Sequence, residues 1–337
     1  MGETQLAFVC ATGDAEAIHG CSFDPETGRL ETLARTPAGK PMYAAVHGET
    51  LYTVERVDGG RVAAYRIREG GELTELNSRP TGGEGACYVA VEPEGRCVLV
   101  ANFAGGTVAS FPVRDDGRLG PAGSVVRHDG TEPHPHATVP GPEGESVYVP
   151  DLGNDRVVGY RAAFERATLD PAGVPDTELP DGAGPRHLEF GPEGKYAFLV
   201  NELDATLTSL SYDPEAGTLT PVETAAMRPP DADPESVAAD VHVHPTGEWV
   251  YASLRGHDTV VRFDIGEDGR FGEPVHTPTG GAWPRDIALS PDGEILLAEN
   301  NHSDTVVSFA ISSDGSLQEQ TATAIPGPTC LVFAGRQ

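Results

Sequence analysis

The sequence predicts an all-β protein, a seven-bladed β-propeller that spans residues 1–337 as a single domain. Three observations lead to this prediction: a motif that recurs about every fifty residues, two families of glycine turns, and chain ends that complete each other. In the first turn family the glycine recurs in steps of 47, 49, 50, 53 and 46 residues, at Gly48, Gly95, Gly144, Gly194, Gly247 and Gly293. A chain of 337 residues therefore holds close to seven units.

Each repeat is predicted to form four short antiparallel strands. In "HLEFGPEGKYAFLVNELDATLTSL" (187–210), apolar alternation precedes a glycine turn, a second apolar run follows, and a polar break leads to a third run. A second turn family, such as "RDDGRL" and "DPEAGTL", then leads to the fourth strand. Units of four strands at this period are typical of β-propellers.

The two ends of the chain are predicted to share one blade. Seven turns of the second family are present but only six of the first, and the N-terminal stretch therefore lacks an innermost strand. The run "TCLVFAG" (329–335) at the C-terminus supplies one. Pairing the ends would close the ring and cover the sheet edges that would otherwise invite aggregation.

Composition bounds the function. The net charge is −29 and only Lys40 and Lys195 are lysines, which indicates a salt-adapted acidic surface and argues against nucleic-acid binding. No apolar run is long enough for a membrane span, and no secretory signal is visible, so we expect a cytoplasmic protein. Five cysteines without a metal-binding spacing are expected to be reduced and buried. We expect a monomer or a weak homodimer.

Hairpin geometry predicts a functional site. If 187–201 turns near Gly194, Arg186 and Glu202 meet at the open end of the hairpin, at one mouth of the central channel. The same construction in other blades adds further polar side chains to this rim: His134, His136, His187, Asp151, Asp240, Arg255, Arg285, Asn102 and Asn300. Three converging arginines repel one another unless an anionic ligand, or carboxylates such as Glu202, offset their charge, and an anion-binding pocket is the better interpretation. A structural alternative is that Asp151 and Asn300 merely cap the turns that they open.

The stretches "EPHPHATV", "YVPDLGNDRV", "GPRHLEF", "VNEL" and "SLRGHDTVV" bring a resemblance. Over essentially its whole length the chain resembles the seven-bladed lactonase family, which includes propeller-type 6-phosphogluconolactonases and fungal carboxymuconate cyclases. The active site of the cyclases falls here on His136, Arg186, Glu202 and Arg255. The first motif contains His134 as well as His136, and in this it resembles the bacterial lactonase branch of the family. This resemblance favours hydrolysis over cyclisation.

Together these observations predict a lactonase that uses neither a metal nor another cofactor. Its substrate would be a small anionic sugar lactone, with 6-phosphogluconolactone as the first candidate. Glu202 or His136 would be the base, Arg186 would stabilise the oxyanion, and Arg255 and Arg285 would grip the anion. Substrate contacts are also expected from His134, His187, Asp151, Asn102 and Asn300.

Three alternatives remain at this point: a lactone-forming cyclase, a non-catalytic binding platform, and a six-bladed calcium-dependent lactonase. Seven units and an arginine-rich rim disfavour the last. The segment "HVHP" suggests a metal pair, His242 and His244, but no third ligand is nearby, so core or turn packing is the better interpretation.

Overall fold

A computed structural model describes residues 4–14 and 16–335. Within these residues the chain forms 29 β strands in seven separate sheets, arranged as the blades of a propeller. The three short 3₁₀ helices are Glu69–Gly71, Phe164–Arg166 and Asn301–Ser303. The prediction of an all-β, seven-bladed propeller is confirmed.

The blades are numbered along the chain. Blade 1 contains β1 (Gln5–Ala11), β2 (Ala17–Asp24), β3 (Arg29–Pro37) and the C-terminal β29 (Pro328–Phe333); blade 2 contains β4 (Pro41–His47), β5 (Thr50–Glu55), β6 (Arg61–Ile67) and β7 (Leu73–Pro80). Blade 3 contains β8 (Ala86–Val91), β9 (Cys97–Asn102), β10 (Thr107–Pro112) and β11 (Ser124–Arg127); blade 4 contains β12 (Val139–Pro140), β13 (Ser146–Asp151), β14 (Arg156–Ala163), β15 (Thr168–Asp170) and β16 (Thr177–Glu178). Blade 5 contains β17 (Pro185–Phe190), β18 (Tyr196–Asn201), β19 (Thr206–Asp213) and β20 (Thr218–Ala226). Blade 6 contains β21 (Val237–Val243), β22 (Trp249–Arg255), β23 (Thr259–Asp264) and β24 (Val275–Pro278); blade 7 contains β25 (Pro284–Leu289), β26 (Ile295–Asn300), β27 (Thr305–Ile311) and β28 (Leu317–Ala324).

The ring closes through blade 1, as the chain ends predict. β29 pairs antiparallel with β1, with Cys330 opposite Cys10. β29 is therefore the innermost strand of a blade whose other three strands come from the N-terminus. One departure from four strands is found in blade 4, where β16 pairs with the free length of β14 beyond the short β15.

The inner turns follow the predicted glycines, because each occupies a left-handed backbone conformation that disfavours other residues. Their φ angles lie between 55° and 77°, at Gly48, Gly95, Gly144, Gly194, Gly247 and Gly293. In each hairpin the turn places the first and second strands side by side, and both ends of the hairpin then reach the same mouth of the channel.

The hydrophobic core lies between the blades. It consists of seven clusters of buried residues, each shared by two neighbouring blades. The cluster between blades 5 and 6, for example, joins Phe198 and Leu207 to Val250 and Phe263. Burial of these sheet faces is the main stabilising term, and it ties each blade to both neighbours.

Buried tyrosines add a polar link between blades. The Tyr251 hydroxyl of blade 6 donates to the Gly315 carbonyl of blade 7 at 2.8 Å, and that of Tyr148 donates to Gly217 at the same distance. Tyr52 makes the corresponding bond to Gly117 at 3.0 Å. In each case a ring buried in the core reaches an outer turn of the next blade, so that the turn carbonyl is satisfied.

Tyr251→Phe is expected to lower the free energy of unfolding by about 1–2 kcal/mol, because the Gly315 carbonyl loses its donor while the ring packing stays. Urea denaturation of the variant and the wild type measures this difference. Tyr196→Phe is the matched control, since its hydroxyl lies 3.5 Å from the Glu267 carbonyl in an exposed contact. Equal losses in both variants would contradict a role for the buried bond.

Candidate functional site

A β-bulge near the start of the innermost strands aims side chains at the mouth of the channel. In blade 5 the pairing runs from Pro185 opposite Asn201 to His187 opposite Val200, which leaves Arg186 unpaired. Blade 7 repeats this irregularity and leaves Arg285 unpaired. Bulges redirect side chains and are common beside functional sites. The fold thus turns these two arginines toward the axis.

In blades 2, 3, 5 and 6 a second set of side chains lies at the end of the second strand or directly after it. Glu202 follows Asn201, and its amide donates to the Gly184 carbonyl at 2.7 Å. The strand pairings put Arg56, Phe103 and Arg255 at the same position in blades 2, 3 and 6. Each of these residues lines the same cavity as Glu202.

Glu202 connects two arginines. Its Oε2 accepts from the Arg186 guanidinium at 3.0 Å, and its Oε1 lies 3.1 Å from Nη2 of Arg255. Both arginine side chains are almost fully buried, whereas 20% of the Glu202 side chain is exposed. A carboxylate held at both oxygens by cations is fixed in place and strongly stabilised in its charged form.

Arg186 also contacts His136. Its Nη1 donates to Nε2 of His136, and its Nε donates to the Ala239 carbonyl at 2.6 Å. Since Nε2 accepts this bond, neutral His136 carries its proton on Nδ1. Arg186 therefore joins the imidazole of blade 4 to the carboxylate of blade 5.

Arg255 is positioned by the neighbouring strand β21 and by an aromatic ring. Its Nη2 donates to the Ala238 carbonyl, and its guanidinium carbon lies 5.4 Å from the centre of the Trp283 ring. The Trp283 ring also stacks on the His302 ring, with 4.8 Å between the ring centres. This cation–π contact holds the guanidinium beside Glu202.

The cavity has a volume of about 280 Å³ and a strongly cationic wall. It is lined by Arg56, Gly85, Phe103, Ala104, His136, Arg186, Glu202, Arg255 and Arg285. Among the described residues, no partner side chain pairs with the guanidinium of Arg56 or Arg285. Four arginines against one glutamate leave a net charge of about +3 in a protein of net charge −29, so the cavity is suited to an anion.

The pKa values follow from this charge. Burial and the Arg186 cation lower the pKa of His136 well below its usual value, which keeps the imidazole neutral. Burial alone would raise the pKa of Glu202, but the neighbouring Arg186 and Arg255 outweigh it and lower that pKa. Burial and neighbouring arginines lower the pKa of Arg255 to about 10 and that of Arg285 to about 9. Arg255 and Arg285 therefore remain charged at neutral pH.

Three predicted rim residues lie outside this cavity. The amide of Asn102 donates to the Thr81 carbonyl, that of Asn300 to the Thr279 carbonyl, and Asp151 pairs with His128 at 2.7 Å. All three side chains are buried inside the blades. The predicted match of Asn102 with Glu202 is wrong by one residue, because a shift of one position along a strand turns the side chain to the other face. The capping alternative fits Asp151, whose Oδ2 accepts from the Asn154 side chain in the turn that Asp151 opens, but not Asn300, which bonds to a residue 21 positions earlier.

His134 and His187 are not in the cavity wall, but each contacts a residue that is. The His134 ring stacks on Phe103 at 4.4 Å, and its Nδ1 lies 3.0 Å from the Phe103 carbonyl oxygen. His187 lies further along the channel, where Nδ1 is 2.6 Å from Oδ1 of Asp240. Burial and Arg186 lower the pKa of His187 to about 4, although Asp240 opposes the shift.

The predictions for Asp240 and "HVHP" need correction. The pairing shifts between Ala238 and Val241, so Arg255 lies opposite Val237, and Asp240 lies deeper in the channel than the predicted rim. His244 has the predicted turn role, with Nδ1 at 2.9 Å from Oγ1 of Thr246. His242 instead faces the channel, between Glu189 and Asp240.

Sequence reasoning missed Arg56 and Phe103. Both residues follow the second strand of their blades. When the repeats are aligned, "VERVD" in blade 2 matches "VNELD" in blade 5, and Arg56 takes the repeat position of Glu202. The repeat alignment that identified Glu202 therefore contained the signal. Across residues 4–14 and 16–335, no cluster of three histidine, cysteine or acidic side chains could hold a metal ion. In the same residues no helix is long and apolar enough to cross a membrane.

Comparison with known proteins agrees with this architecture. A 6-phosphogluconolactonase of Bacillus subtilis is 35% identical over 288 residues, which make up 82% of this chain and 81% of that protein. A solved structure described as a periplasmic gluconolactonase of Pseudomonas aeruginosa superposes with a TM-score of 0.93 at 27% identity and covers 99% of both chains. A putative 6-phosphogluconolactonase from Bacteroides uniformis has a TM-score of 0.91 at 29% identity, over 99% of this chain and 100% of that one. The family model "Lactonase, 7-bladed beta-propeller" matches residues 5–333, and the chain belongs to this family.

Proposed function

We propose that this protein hydrolyses a small sugar lactone that carries an anionic group, with 6-phosphogluconolactone as the first candidate. One observation carries the proposal: Glu202 bridges Arg186 and Arg255 beside a neutral, buried His136 in a cationic cavity. The named activities of the Bacillus subtilis and Pseudomonas aeruginosa relatives support the same reaction class.

The site contains the groups that lactone hydrolysis needs. His136 is the base: once the bound substrate anion draws the Arg186 guanidinium away from Nε2, that nitrogen takes a proton from water and returns it to the ring oxygen when the C–O bond breaks. Arg186 and Arg255 stabilise the oxyanion that develops on the carbonyl oxygen. Glu202 keeps both guanidinium groups in position and offsets part of their charge, so that they converge in the free protein.

The anionic substrate itself prepares the base. The arginines that bind an anion are the same cations that lower the pKa of His136. A bound phosphate offsets their charge and raises that pKa toward its usual value, so the imidazole becomes a better proton acceptor. The cavity thus couples anion binding to catalysis.

Arg56 and Arg285 are the phosphate ligands in this proposal. They line the cavity without a carboxylate partner among the described side chains, unlike Arg186 and Arg255. Guanidinium groups suit bidentate contacts to phosphate. The second candidate substrate is an unphosphorylated gluconolactone, which the description of the Pseudomonas aeruginosa structure favours.

We also propose that hydrolysis needs no metal or other cofactor, since arginines supply the positive charge that a metal would supply elsewhere. A cytoplasmic location is proposed from the five cysteines, which are all buried and free of disulfides. The net charge of −29 supports adaptation to concentrated salt, which screens the repulsion between surface carboxylates.

Glu202→Gln is expected to reduce lactone hydrolysis at least about 100-fold, because the two arginines lose the charge that holds them together. Hydrolysis is followed in molar salt with a chelator present, against an enzyme-free blank that corrects for spontaneous ring opening. Glu145→Gln is the control, since that carboxylate forms an exposed ion pair with Arg161. A Glu202→Gln variant with wild-type activity, or a wild type no faster than the blank, would refute the proposed function.

Arg56→Ala and Arg285→Ala are each expected to lower kcat/KM for 6-phosphogluconolactone by about 10–100-fold, the equivalent of one charge-assisted contact. Gluconolactone turnover should change by less than about threefold, because this substrate has no phosphate to lose. Arg161→Ala, a surface arginine, serves as the control. Equal losses with both lactones would show that these arginines do not select for phosphate.

A further inference from the structure

A chain of titratable side chains leads from the cationic cavity to a second cavity in the channel. This second cavity has a volume of about 350 Å³ and lies nearer the inner turns, with Tyr43, Tyr88, Glu189 and His242 in its wall. His187 and Asp240 also border it. None of these side chains has a task in the hydrolytic chemistry proposed above.

Four of these side chains are joined in series by close nitrogen–oxygen contacts. Nδ1 of His187 lies 2.6 Å from Oδ1 of Asp240, and Oδ2 of Asp240 lies 3.3 Å from Nε2 of His242. Nδ1 of His242 lies 2.7 Å from Oε2 of Glu189. The first two side chains are buried, with 5% of His187 and 2% of Asp240 exposed, whereas 29% of His242 and 36% of Glu189 are exposed. This series of side chains therefore leads from the protein interior to solvent.

The link to the cationic cavity is a pair of histidines with complementary nitrogens. The rings of His136 and His187 are 5.1 Å apart, centre to centre. His136 accepts from Arg186 at Nε2 and therefore carries a proton on Nδ1, whereas neutral His187 donates from Nδ1 to Asp240 and therefore has a bare Nε2.

Within residues 4–14 and 16–335, one nitrogen of each ring remains without a hydrogen bond. Nδ1 of His136 and Nε2 of His187 are both buried, and neither has a hydrogen-bond partner among the described residues. One is a donor and the other an acceptor, on rings that lie side by side. A buried polar atom without a partner is costly, and one water molecule between adjacent rings satisfies a donor on one and an acceptor on the other.

Charge favours movement of a proton along this path. Four arginines surround its start, whereas Asp240 and Glu189 lie near its end. Although burial favours the neutral ring, Glu189 and Asp240 raise the pKa of His242 well above its usual value. The other titratable groups around the path are Tyr43 and Tyr88, whose rings contact His187, and the buried carboxyls of Asp286 and Glu299, which interact with Asp240.

We propose that His136, His187, Asp240, His242 and Glu189 form a proton relay that carries the proton released by hydrolysis through the channel to the second cavity. This inference rests on the proposed hydrolysis. It adds a route for the product proton, away from the mouth at which the anionic substrate enters.

Hydrolysis of the lactone at neutral pH releases one proton. Water adds to the lactone carbonyl and the ring C–O bond breaks; one water proton ends on the ring oxygen as a hydroxyl group, and the other leaves when the new carboxylic acid ionises. His136 accepts this second proton at Nε2 as its Nδ1 proton passes through one bridging water molecule to Nε2 of His187. Corresponding transfers to Asp240, His242 and Glu189 deliver one proton to solvent and leave His136 and His187 protonated on Nε2. Proton exchange with water, off Nε2 and onto Nδ1, then restores the starting tautomers with no net change in protons.

His242→Ala tests the relay, because it removes a member near solvent and leaves the cationic cavity intact. In dilute buffer, kcat for the lactone is expected to fall roughly tenfold with KM within about twofold of wild type, since proton transfer and not binding is impaired. Added imidazole is expected to restore kcat. His244→Ala, on the neighbouring turn, should keep wild-type kcat with and without imidazole, and thermal unfolding checks that both variants fold.

An unchanged kcat in His242→Ala, or a loss that imidazole does not restore, would overturn the relay. Nitrogen-15 NMR of the histidine rings gives a readout that needs no turnover. His136 and His187 are expected to be neutral with the proton on Nδ1, and Asp240→Asn should move the His187 proton to Nε2. Another tautomer at either ring in the wild type would also overturn the relay, whereas a wild type that does not hydrolyse lactones would refute the proposed function instead.

Discussion

The ion pairs of Glu202 with Arg186 and Arg255 hold the functional mouth of this propeller together. Placing four arginines around one small cavity is unfavourable, because each guanidinium loses hydration and is repelled by the others. Glu202 offsets one unit of this charge and holds the guanidinium groups of Arg186 and Arg255 at hydrogen-bond distance. Arg56 and Arg285 stay uncompensated, so the free protein retains a demand for an anion. Binding and catalysis both follow from this incomplete neutralisation.

The fold makes such a cluster achievable because the ring is closed. Arg186, Glu202 and Arg255 come from blades 5 and 6, Arg285 from blade 7, and His136 from blade 4. Their convergence requires each innermost strand to keep its register, and the bulges set that register one residue from the strand start. The core clusters between blades then lock neighbouring hairpins together. Loss of closure at β1 and β29 would loosen the whole mouth, even though blade 1 supplies no residue to the cavity wall.

The sequence predicted the fold well because a propeller is a repeat, and every repeat reports the same strand order. Seven units, the inner-turn glycines and the closure by the C-terminal strand all follow from spacing. The hairpin argument also brought Arg186 next to Glu202. It failed at single-residue resolution: Asn102 and Asn300 were predicted at the rim, whereas Phe103 lines it and both amides donate to loop carbonyls inside their blades.

These errors have one physical cause. The side chains of a strand alternate between two faces, so a site prediction needs the register to be correct to one residue, and bulges shift that register without a clear sequence signal. The wider shift in blade 6 moved Asp240 away from the rim for the same reason. Side-chain hydrogen bonds between neighbouring blades, such as that of His187 in blade 5 with Asp240 in blade 6, join residues far apart in sequence. The spacing of motifs along the sequence could not predict them.

A crystal structure of the complex with 6-phosphogluconate would show whether the arginine cavity binds an anionic sugar acid. We expect the sugar carboxylate within hydrogen-bond distance of Arg186 or Arg255, and the phosphate in contact with Arg56 and Arg285. Density for the ligand in the second cavity, or on the outer surface with the arginine cavity empty, would rule out this binding mode.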